Sequence, residues 1–293
     1  MTHKAGFVNI IGKPNVGKST LINELVGEKV AIATPKAQTT RHRIIGILSE
    51  PEYQIVFSDT PGIIDDPKYP MQAAMMNFVQ EAWQDADVIL FMVEVHQKLV
   101  YLEPYLERIQ KMDIPYYVVV NKIDTTDQEK LMHYMNELAK MVPQERVFPL
   151  SALNKFNTKY LLEKLIEHLP EHPAYYDKEL YTDRTERFLV SEIVREKIFS
   201  HFKQEIPYSV EVVVTSFKPE EPVLTIEAEI IVNRKSQKAI IIGKEGRALT
   251  RVGTDARRDL MNHYGRKVRL NLYVKIKEGW RESDQDLQRF GYK

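Results

Sequence analysis

Short apolar runs alternate with stretches of helical periodicity along the first part of the chain. The apolar runs predict six strands, over residues 6–11, 44–48, 53–58, 88–95, 116–120 and 147–150. Between the third and the fourth of them, apolar side chains recur at helical spacing, at Met71, Ala74, Met75, Phe78, Val79, Ala82 and Trp83. This alternation is typical of an α/β domain, in which a mostly parallel sheet carries helices on both faces.

The pattern changes after residue 183, where strands and helices no longer alternate. It predicts a helix over 188–202, strands over 210–217 and 223–232, helices over 236–242 and up to about Tyr264, and a strand over 268–276. The order α-β-β-α-α-β indicates a separate α+β domain. We therefore expect a first domain over 1–174, a linker over 175–183 and a second domain over 184–293.

Length and composition limit the class of protein. A chain of 293 residues is long enough for two domains with cores of their own. Its apolar runs are far shorter than a bilayer span, and its first residues lack the pattern of a signal peptide. The absence of cysteine excludes disulfides, thiolate zinc sites and a cysteine nucleophile. We therefore expect a soluble, cytoplasmic protein.

Charge is distributed unevenly, although the net charge of the whole chain is zero. Residues 234–277 contain thirteen Lys or Arg and three Asp or Glu, a local balance of +10. The remaining residues must then carry −10 in total. A strongly basic segment in a neutral chain indicates that this part of the protein meets a polyanion.

Residues 12–19, with the sequence GKPNVGKS, fit the phosphate-binding pattern G-x-x-x-x-G-K-[ST]. Gly12 and Gly17 permit the turn and the close approach of the backbone to phosphate oxygens. Lys18 can neutralise the β- and γ-phosphates, and the hydroxyl of Ser19 can bind Mg²⁺. A predicted helix starts at this loop, and its N-terminus favours an anion. We infer that the chain binds a nucleoside triphosphate.

The motif DTPG follows the third predicted strand. It places Asp59 near the Mg²⁺ ion and the N–H of Gly62 near the γ-phosphate. The loop between the first helix and the second strand is expected to order and disorder with the nucleotide. Within that loop, Thr39 and Thr40 are both candidates to reach the metal, and we favour Thr40. Either threonine could instead only form hydrogen bonds within the loop.

The motif NKID follows the fifth predicted strand and points to guanine. The carboxylate of Asp124 can accept hydrogen bonds from N1–H and the exocyclic amine of guanine, whereas adenine has no donor at N1. Ser151 and Ala152 follow the next strand and would add a backbone N–H near guanine O6. Because ligands bind beyond the carboxyl ends of strands in open α/β sheets, these motifs should meet in one site.

Ile63 follows DTPG, at the position where many relatives of Ras carry a glutamine that orients the attacking water. An isoleucine cannot do this, so hydrolysis is expected to be slow unless another group, cation or partner completes the site. Asn15 could help to seat a monovalent cation such as potassium, or could only stabilise the turn.

Taken together, GKPNVGKS, QTTRH at 38–42, DTPG, NKID and SAL at 151–153 resemble the Era GTPase family. The sequence IIGKEGR at 241–247 resembles the core of a KH domain, and the element order resembles its type II version. The resemblance runs from about Ala5 to the C-terminus. It implies a P-loop GTPase domain followed by a KH domain that binds small-subunit (16S) ribosomal RNA near its 3′ end and assists small-subunit assembly. It also implies peripheral contact with the inner face of the cell membrane, and we expect a monomer.

The motifs define the nucleotide site residue by residue. Lys18, Thr40 and Gly62 are expected to act in catalysis, and Ser19, Thr40 and Asp59 to ligate Mg²⁺. The residues expected around GTP or GDP are Asn15, Val16, Gly17, Lys18, Ser19, Thr20, Asp59, Gly62, Asn121, Lys122, Asp124, Ser151, Ala152 and Leu153.

The predicted RNA surface is centred on the two glycines of GKEG, which would let a nucleic-acid backbone approach beside an apolar groove for unpaired bases. The residues expected to contact RNA are Lys238, Ile242, Gly243, Lys244, Gly246, Arg247 and Arg251. Other basic residues either extend this surface or only keep the protein soluble; they are Arg257, Arg258, Arg266, Lys267 and Arg269. The basic segment could also be a solvated face, or attract an anionic membrane.

Two other functions are open from the sequence alone. An RNA chaperone could use a bound nucleotide only structurally, and the isoleucine after DTPG is the best support for it. A GTPase of tRNA modification or of metal transport would share the first domain, but the GxxG sequence of the second domain argues against this alternative.

Overall fold

The structure is a computed structural model that describes residues 3–292. It divides into two compact units, each considered by itself below. The first unit comprises the chain up to Asp65 together with Met75–Asp183, and the second comprises Asp66–Ala74 together with the chain from Arg184 onward. Within residues 3–292, no helix is both long enough and apolar enough to cross a bilayer.

The first unit contains a six-stranded sheet in the order β2-β3-β1-β4-β5-β6. Only the pair β2–β3 is antiparallel, and the other neighbours run parallel. The predicted α/β class and mostly parallel sheet are therefore confirmed. The elements are β1 (Lys4–Gly12), α1 (Lys18–Val26), β2 (Ile44–Ser49), β3 (Tyr53–Asp59), α2 (Pro70–Gln84), β4 (Val88–Glu94), α3 (Glu103–Gln110), β5 (Tyr116–Asn121), α4 (Gln128–Leu138), β6 (Val147–Pro149) and α5 (Thr158–His168).

The central strands of this sheet are covered on both faces. On one face, Phe91 and Val118 belong to a buried cluster with residues of α2, α3 and α4. The opposite face is covered by α1 and α5, which contact each other. Because both faces are buried, β4 and β5 appear in the sequence as continuous apolar runs rather than as alternating ones. This arrangement leaves the loops at the carboxyl ends of the strands free for a site.

Residues 175–183 are not the linker that the sequence predicted, because they pack on the edge of the first sheet. The N–H of Ile47 donates to the carbonyl of Tyr181 at 2.9 Å, and the hydroxyl of Thr182 donates to the carbonyl of Ile45 at 2.7 Å. The side chain of Gln54 donates to the carbonyl of Tyr176 at 2.9 Å. An edge strand has unpaired backbone groups, and this segment satisfies some of those of β2.

The predicted first domain, 1–174, also differs from the observed first unit at residues 66–74, which belong to the second unit. Within that unit, the N–H of Met71 donates to the carbonyl of Arg281 at 3.2 Å. The Arg281 guanidinium lies 4.8 Å from the centre of the Tyr69 ring. These partners are distant in sequence, so no local pattern indicates them.

The second unit contains a three-stranded sheet in the order β7-β8-β9, with β7–β8 antiparallel and β8–β9 parallel. One face of the sheet forms a core with the long helices, in which Val190, Ile226, Val252 and Val274 are buried. The observed order is the predicted α-β-β-α-α-β with one further helix. The elements are α6 (Glu186–His201), β7 (Val210–Lys218), β8 (Val223–Val232), α7 (Lys235–Ile242), α8 (Arg247–Tyr264), β9 (Lys267–Ile276) and α9 (Asp284–Arg289).

The segment after β9, which contains α9, was not predicted. It is nevertheless well anchored, since Trp280 and Leu287 are fully buried. The hydroxyl of Tyr292 donates to the Glu211 carboxylate at 2.6 Å, and the indole of Trp280 donates to the carbonyl of Ser209 at 3.4 Å. A helix of six residues is too short to produce a readable periodicity, so only these long-range contacts reveal it.

Candidate functional site

The loops that follow β1, β3, β5 and β6 border one cavity of about 780 Å³. This volume lies in the usual range for sites that hold a small ligand. The predicted residues that line it are Asn15, Gly17, Lys18, Ser19, Thr20, Thr40, Gly62, Asn121, Lys122, Asp124 and Leu153. Three other residues of the quoted motifs also line it, Pro14, Gln38 and Thr39. Residues outside the motifs that line it are Ile32, Ala33, Thr34, Pro35, Lys36, Glu94 and Thr125.

The loop between β1 and α1 requires both of its glycines. Gly17 has φ of 102°, and a Cβ built there would lie 2.2 Å from Nδ2 of Asn121. A Cβ at Gly12 would lie 2.2 Å from the carbonyl oxygen of Met92. Contacts this short are not tolerated, so any side chain at either position would displace the loop. The backbone can therefore approach a ligand closely at this point.

Lys18 starts α1 and is almost completely buried, with 6% of its surface exposed. Its ammonium donates to the carbonyls of Gly12 at 3.1 Å and of Lys13 at 3.0 Å. Burial lowers the pKa of Lys18 to about 8, and the nearby Asp59 carboxylate raises it in part. A phosphate beside this ammonium would supply the negative charge that favours its protonated form.

Ser19, Thr40 and Asp59 converge at one point of the site. The Ser19 hydroxyl donates to Oδ2 of Asp59 at 2.6 Å, and the Thr40 hydroxyl donates to the same oxygen at 3.0 Å. Thr39 instead bonds within its own loop, to Thr34 at 2.6 Å and to the carbonyl of Lys36 at 2.7 Å. Hydroxyl and carboxylate oxygens are ligands that Mg²⁺ prefers, so the three converging residues fit this ion.

Asn121 connects three loops at the other end of the site. Its Nδ2 donates to the carbonyl of Val16 at 2.7 Å, and its Oδ1 accepts from the N–H of Ala152 at 3.0 Å. The predicted residues Val16 and Ala152 therefore act here through Asn121, and the Ala152 N–H does not point freely to a base. Ser151 is likewise buried, whereas Leu153 is 75% exposed beside the cavity.

Around the position expected for the base, Asp124 is exposed and lines the cavity. Lys122 has φ of 63° and forms an ion pair with Glu94 at 2.6 Å. Glu94 is the last residue of β4 and was not predicted from a motif. Its position at the end of a central strand, on the same edge as the motifs, is the signal that could have indicated it.

The segment after β3 is held against the phosphate-binding loop. The N–H of Ile63 donates to the carbonyl of Gly12 at 3.1 Å, and a Cβ at Gly62 would lie 2.6 Å from Pro14. The Ile63 side chain is 9% exposed and packs in the core shared by α2, α3 and α4. Ile63 is therefore a core residue in this structure and offers no polar group to a water molecule.

In the second unit, the predicted GxxG sequence forms the turn between α7 and α8. Gly243 has φ of 71°, Glu245 of 54° and Gly246 of 75°. A Cβ at Gly243 would lie 2.7 Å from Cβ of Ala248, while a Cβ at Gly246 would meet no atom within 4 Å. Gly243 is thus required by the fold, whereas the space beside Gly246 is open.

The predicted basic residues form a surface around this turn, which we call the GxxG surface: Lys238, Lys244, Arg247 and Arg251. Lys244, Arg247 and Arg251 are exposed, and Lys238 is half-buried. Arg247 pairs with Glu245 at 2.6 Å. The predicted apolar member, Ile242, is partly buried against the core.

Of the five further basic residues, two are ion-paired within the second unit. Arg258 pairs with Asp255 at 3.1 Å, and Arg266 pairs with Glu221 at 3.0 Å. Among the residues that the structure describes, Arg257, Lys267 and Arg269 form no ion pair. Arg257 borders a groove of about 390 Å³ between α8 and β9.

Comparison with known proteins gives matches over both units. Residues 7–122 match the family model described as 50S ribosome-binding GTPase, and residues 205–281 match the KH domain model. The chain is 41% identical to GTPase Era of Alkaliphilus metalliredigens over the full length of both chains. It is 40% identical to GTPase Era of Clostridium kluyveri over 99% of both chains.

Solved structures agree with these matches. A variant of Aquifex aeolicus Era bound to GDP·AlF4⁻ superposes with a TM-score of 0.93 and 38% identity over 99% of both chains. A structure of Era in complex with MgGDPNP and nucleotides 1506–1542 of 16S ribosomal RNA also has a TM-score of 0.93, 38% identity and 99% coverage of both chains.

Proposed function

The chain belongs to the Era GTPase family, and on that premise we propose that it hydrolyses GTP at the β1–α1 site and binds the 3′ region of 16S ribosomal RNA through its second unit. We propose that it acts in this way in the assembly of the small ribosomal subunit. The observation that carries the nucleotide part is that Lys18, Ser19 and Thr40 line one cavity with Asn121 and Asp124. Behind them, the buried Asp59 accepts hydrogen bonds from Ser19 and Thr40.

For catalysis, the proposed roles follow from the positions of the groups. Lys18 neutralises phosphate charge, and the N–H of Gly62 donates to the γ-phosphate as water attacks in line. Ser19, Thr40 and Asp59 would hold Mg²⁺, which neutralises charge that develops on the phosphate oxygens. Asp124 selects guanine. In support of these ligands, one Era structure contains GDP·AlF4⁻ and another contains MgGDPNP.

Slow intrinsic turnover is part of the proposal, because Ile63 is packed in the core and cannot orient water. We propose that potassium seated near Asn15, or bound RNA, completes the site. Asn15 lines the cavity and is exposed, which leaves its side chain available to a cation.

For RNA, support comes from the GxxG surface and from the relative that was solved with nucleotides 1506–1542 of 16S ribosomal RNA. The two glycines and the basic residues provide backbone approach and phosphate contacts, so binding should weaken as the salt concentration rises. We also propose that the protein is a cytoplasmic monomer whose basic surface makes weak peripheral contact with anionic membranes.

Two measurements test the function, phosphate release and the affinity for RNA. Phosphate release from GTP and from ATP is measured with and without potassium and with an RNA of the 16S 3′ region, at several salt concentrations. We expect hydrolysis of GTP only, stimulated by the RNA. If no condition releases phosphate while RNA still binds, the protein is an RNA chaperone with structural nucleotide. Equal RNA affinity with GDP and a GTP analogue would exclude coupling between the two sites.

A further inference from the structure

The helices α6, α7 and α8 pack against one face of the three-stranded sheet of the second unit, and the other face is exposed along β9, at Tyr273. In β9, Val268 and Val274 point into the core, whereas Tyr273 is exposed. Successive side chains of a strand point to opposite faces, so the odd-numbered residues of β9 lie on the face away from the helices. We call this the open face; its residues from β9 are Lys267, Arg269, Asn271, Tyr273 and Lys275.

Tyr273 is an aromatic residue in the middle of a strand, yet 51% of its surface is exposed. Within the part of the chain that the structure describes, its ring makes no contact with another ring. The sheet therefore gains little from it, although an aromatic side chain in a strand usually packs against its neighbours. An exposed ring of this kind is available to a ligand with a flat face.

The open face connects to the groove between α8 and β9. That groove of about 390 Å³ is lined by Leu249, Gly253 and Arg257 of α8 and also by Asn271 and Tyr273. Since β9 is the edge strand of the sheet, no further strand closes this side. The groove therefore opens directly over the edge of β9 to the Tyr273 ring.

Gly253 indicates that the groove is kept open. It lies inside α8, where glycine is less favourable than alanine. A Cβ at this position would meet only Cδ1 of Leu272, at the ordinary distance of 3.6 Å. The fold therefore does not require a glycine here, but a Cβ would narrow the groove that leads to Tyr273.

The charged side chains of β8 and β9 limit the path that a polyanion could follow beyond the α8–β9 groove. Lys267 and Arg269 are exposed along β9, and among the described residues neither forms an ion pair. On β8, the register places Glu227 and Glu229 opposite Asn271 and Tyr273. Glu229 is paired with Lys275 of β9 at 2.5 Å, so the Glu227 carboxylate is the one that repels phosphates from the centre of the sheet. Lys267 and Arg269 then make the edge strand the favourable path.

We propose that single-stranded RNA leaves the α8–β9 groove, crosses the edge of β9 and stacks a further base on Tyr273, with Arg269 contacting its phosphate. This inference rests on the proposed RNA-binding function. A base has a π-face whatever its identity, so the Tyr273 contact adds affinity without adding sequence preference.

The test compares RNA lengths. Oligoribonucleotides from the 16S 3′ region are titrated against the protein at fixed salt. The short ones have about four nucleotides, the length that a GxxG loop clamps, and the long ones are extended at either end. We expect Tyr273→Ala to weaken binding of the extended RNA roughly tenfold and to leave the short RNA unchanged. Tyr273→Phe, which keeps the ring, should bind as the unchanged protein does.

The matched control is Tyr160→Ala, which removes a tyrosine of similar exposure, 49%, from the first unit; it should not change RNA binding. The inference is overturned if Tyr273→Ala, folded by circular dichroism, binds the extended RNA normally, or if it weakens both lengths equally. If the unchanged protein binds neither RNA, the proposed function itself fails, which is a separate result.

Discussion

Asn121 is the residue through which three loops of the nucleotide site are held together, and its replacement by alanine tests that role. The side chain is 3% exposed and forms two hydrogen bonds, to the carbonyl of Val16 and from the N–H of Ala152. Asn121→Ala removes both. An unsatisfied buried backbone group costs about 1–3 kcal/mol, so the two together should cost on the order of 2–6 kcal/mol.

We expect this cost to appear as weaker binding of both GDP and GTP, by at least roughly thirtyfold, because the nucleotide must then order the loops that Asn121 no longer holds. Base selectivity should persist because Asp124 is unchanged. Titration with a fluorescent GDP analogue, followed by competition with GTP and ATP, measures both quantities. Asn136→Ala is the matched control, because the same substitution there removes an exposed side chain from α4.

Two results would refute the reasoning. If Asn121→Ala binds GDP as tightly as the unchanged protein, the loops are held without this side chain. If instead the preference for GTP over ATP collapses, Asn121 contacts the base directly and is not a positioning residue. Thermal melting without nucleotide shows whether any loss comes from unfolding.

Three further predictions concern pH, stability and selectivity. The folded pKa of Lys18, about 8, lies below the ordinary 10.5, so the unfolded chain binds more protons between these values. The free energy of unfolding of the nucleotide-free protein, measured by denaturation, should therefore rise from pH 8 towards 10.5. Over the same range the affinity for GDP, measured by titration, should fall. Lys18→Met should abolish both trends. Tyr292→Phe removes the donor to Glu211 and should lower the free energy of unfolding by about 1.5–3 kcal/mol. Tyr101→Phe, at a 55% exposed tyrosine, should leave urea unfolding unchanged. Asp124→Ala should reduce the preference for GTP over ATP roughly ten- to hundredfold with an unaltered melting temperature, and an unchanged preference would remove Asp124 from the base site.

The phosphate-binding loop is the part of the site that sequence predicts best. Eight consecutive residues contain the glycines, the lysine and the serine, and their roles depend on backbone geometry within the same loop. The structure gives a reason for this local character, since Gly17 adopts φ of 102°. The fold class and the family could also be predicted because their signals, hydrophobic periodicity and short motifs, lie within short segments of the chain. The structure and the comparisons confirm both.

Thr39 and Thr40 show a limit of prediction from local sequence. Both are hydroxyl residues in one loop, and the sequence could only favour one of them. The structure places Thr40 at 3.0 Å from Asp59, nineteen positions away, while Thr39 bonds inside the loop. Glu94 and the pairing of its carboxylate with Lys122 depend on strand order in the same way.

The amino-acid sequence by itself determined the motifs and the strands and helices that carry them, because each depends on neighbours within a few residues. It also determined the basic bias of residues 234–277, which is a matter of composition alone. Only the tertiary structure decided that residues 175–183 cover β2, that Asn121 joins three loops, and that Tyr273 faces away from the helices beside an open edge. These features depend on which distant segments meet. Such meetings are set by sheet order and register, which hydrophobic periodicity does not encode.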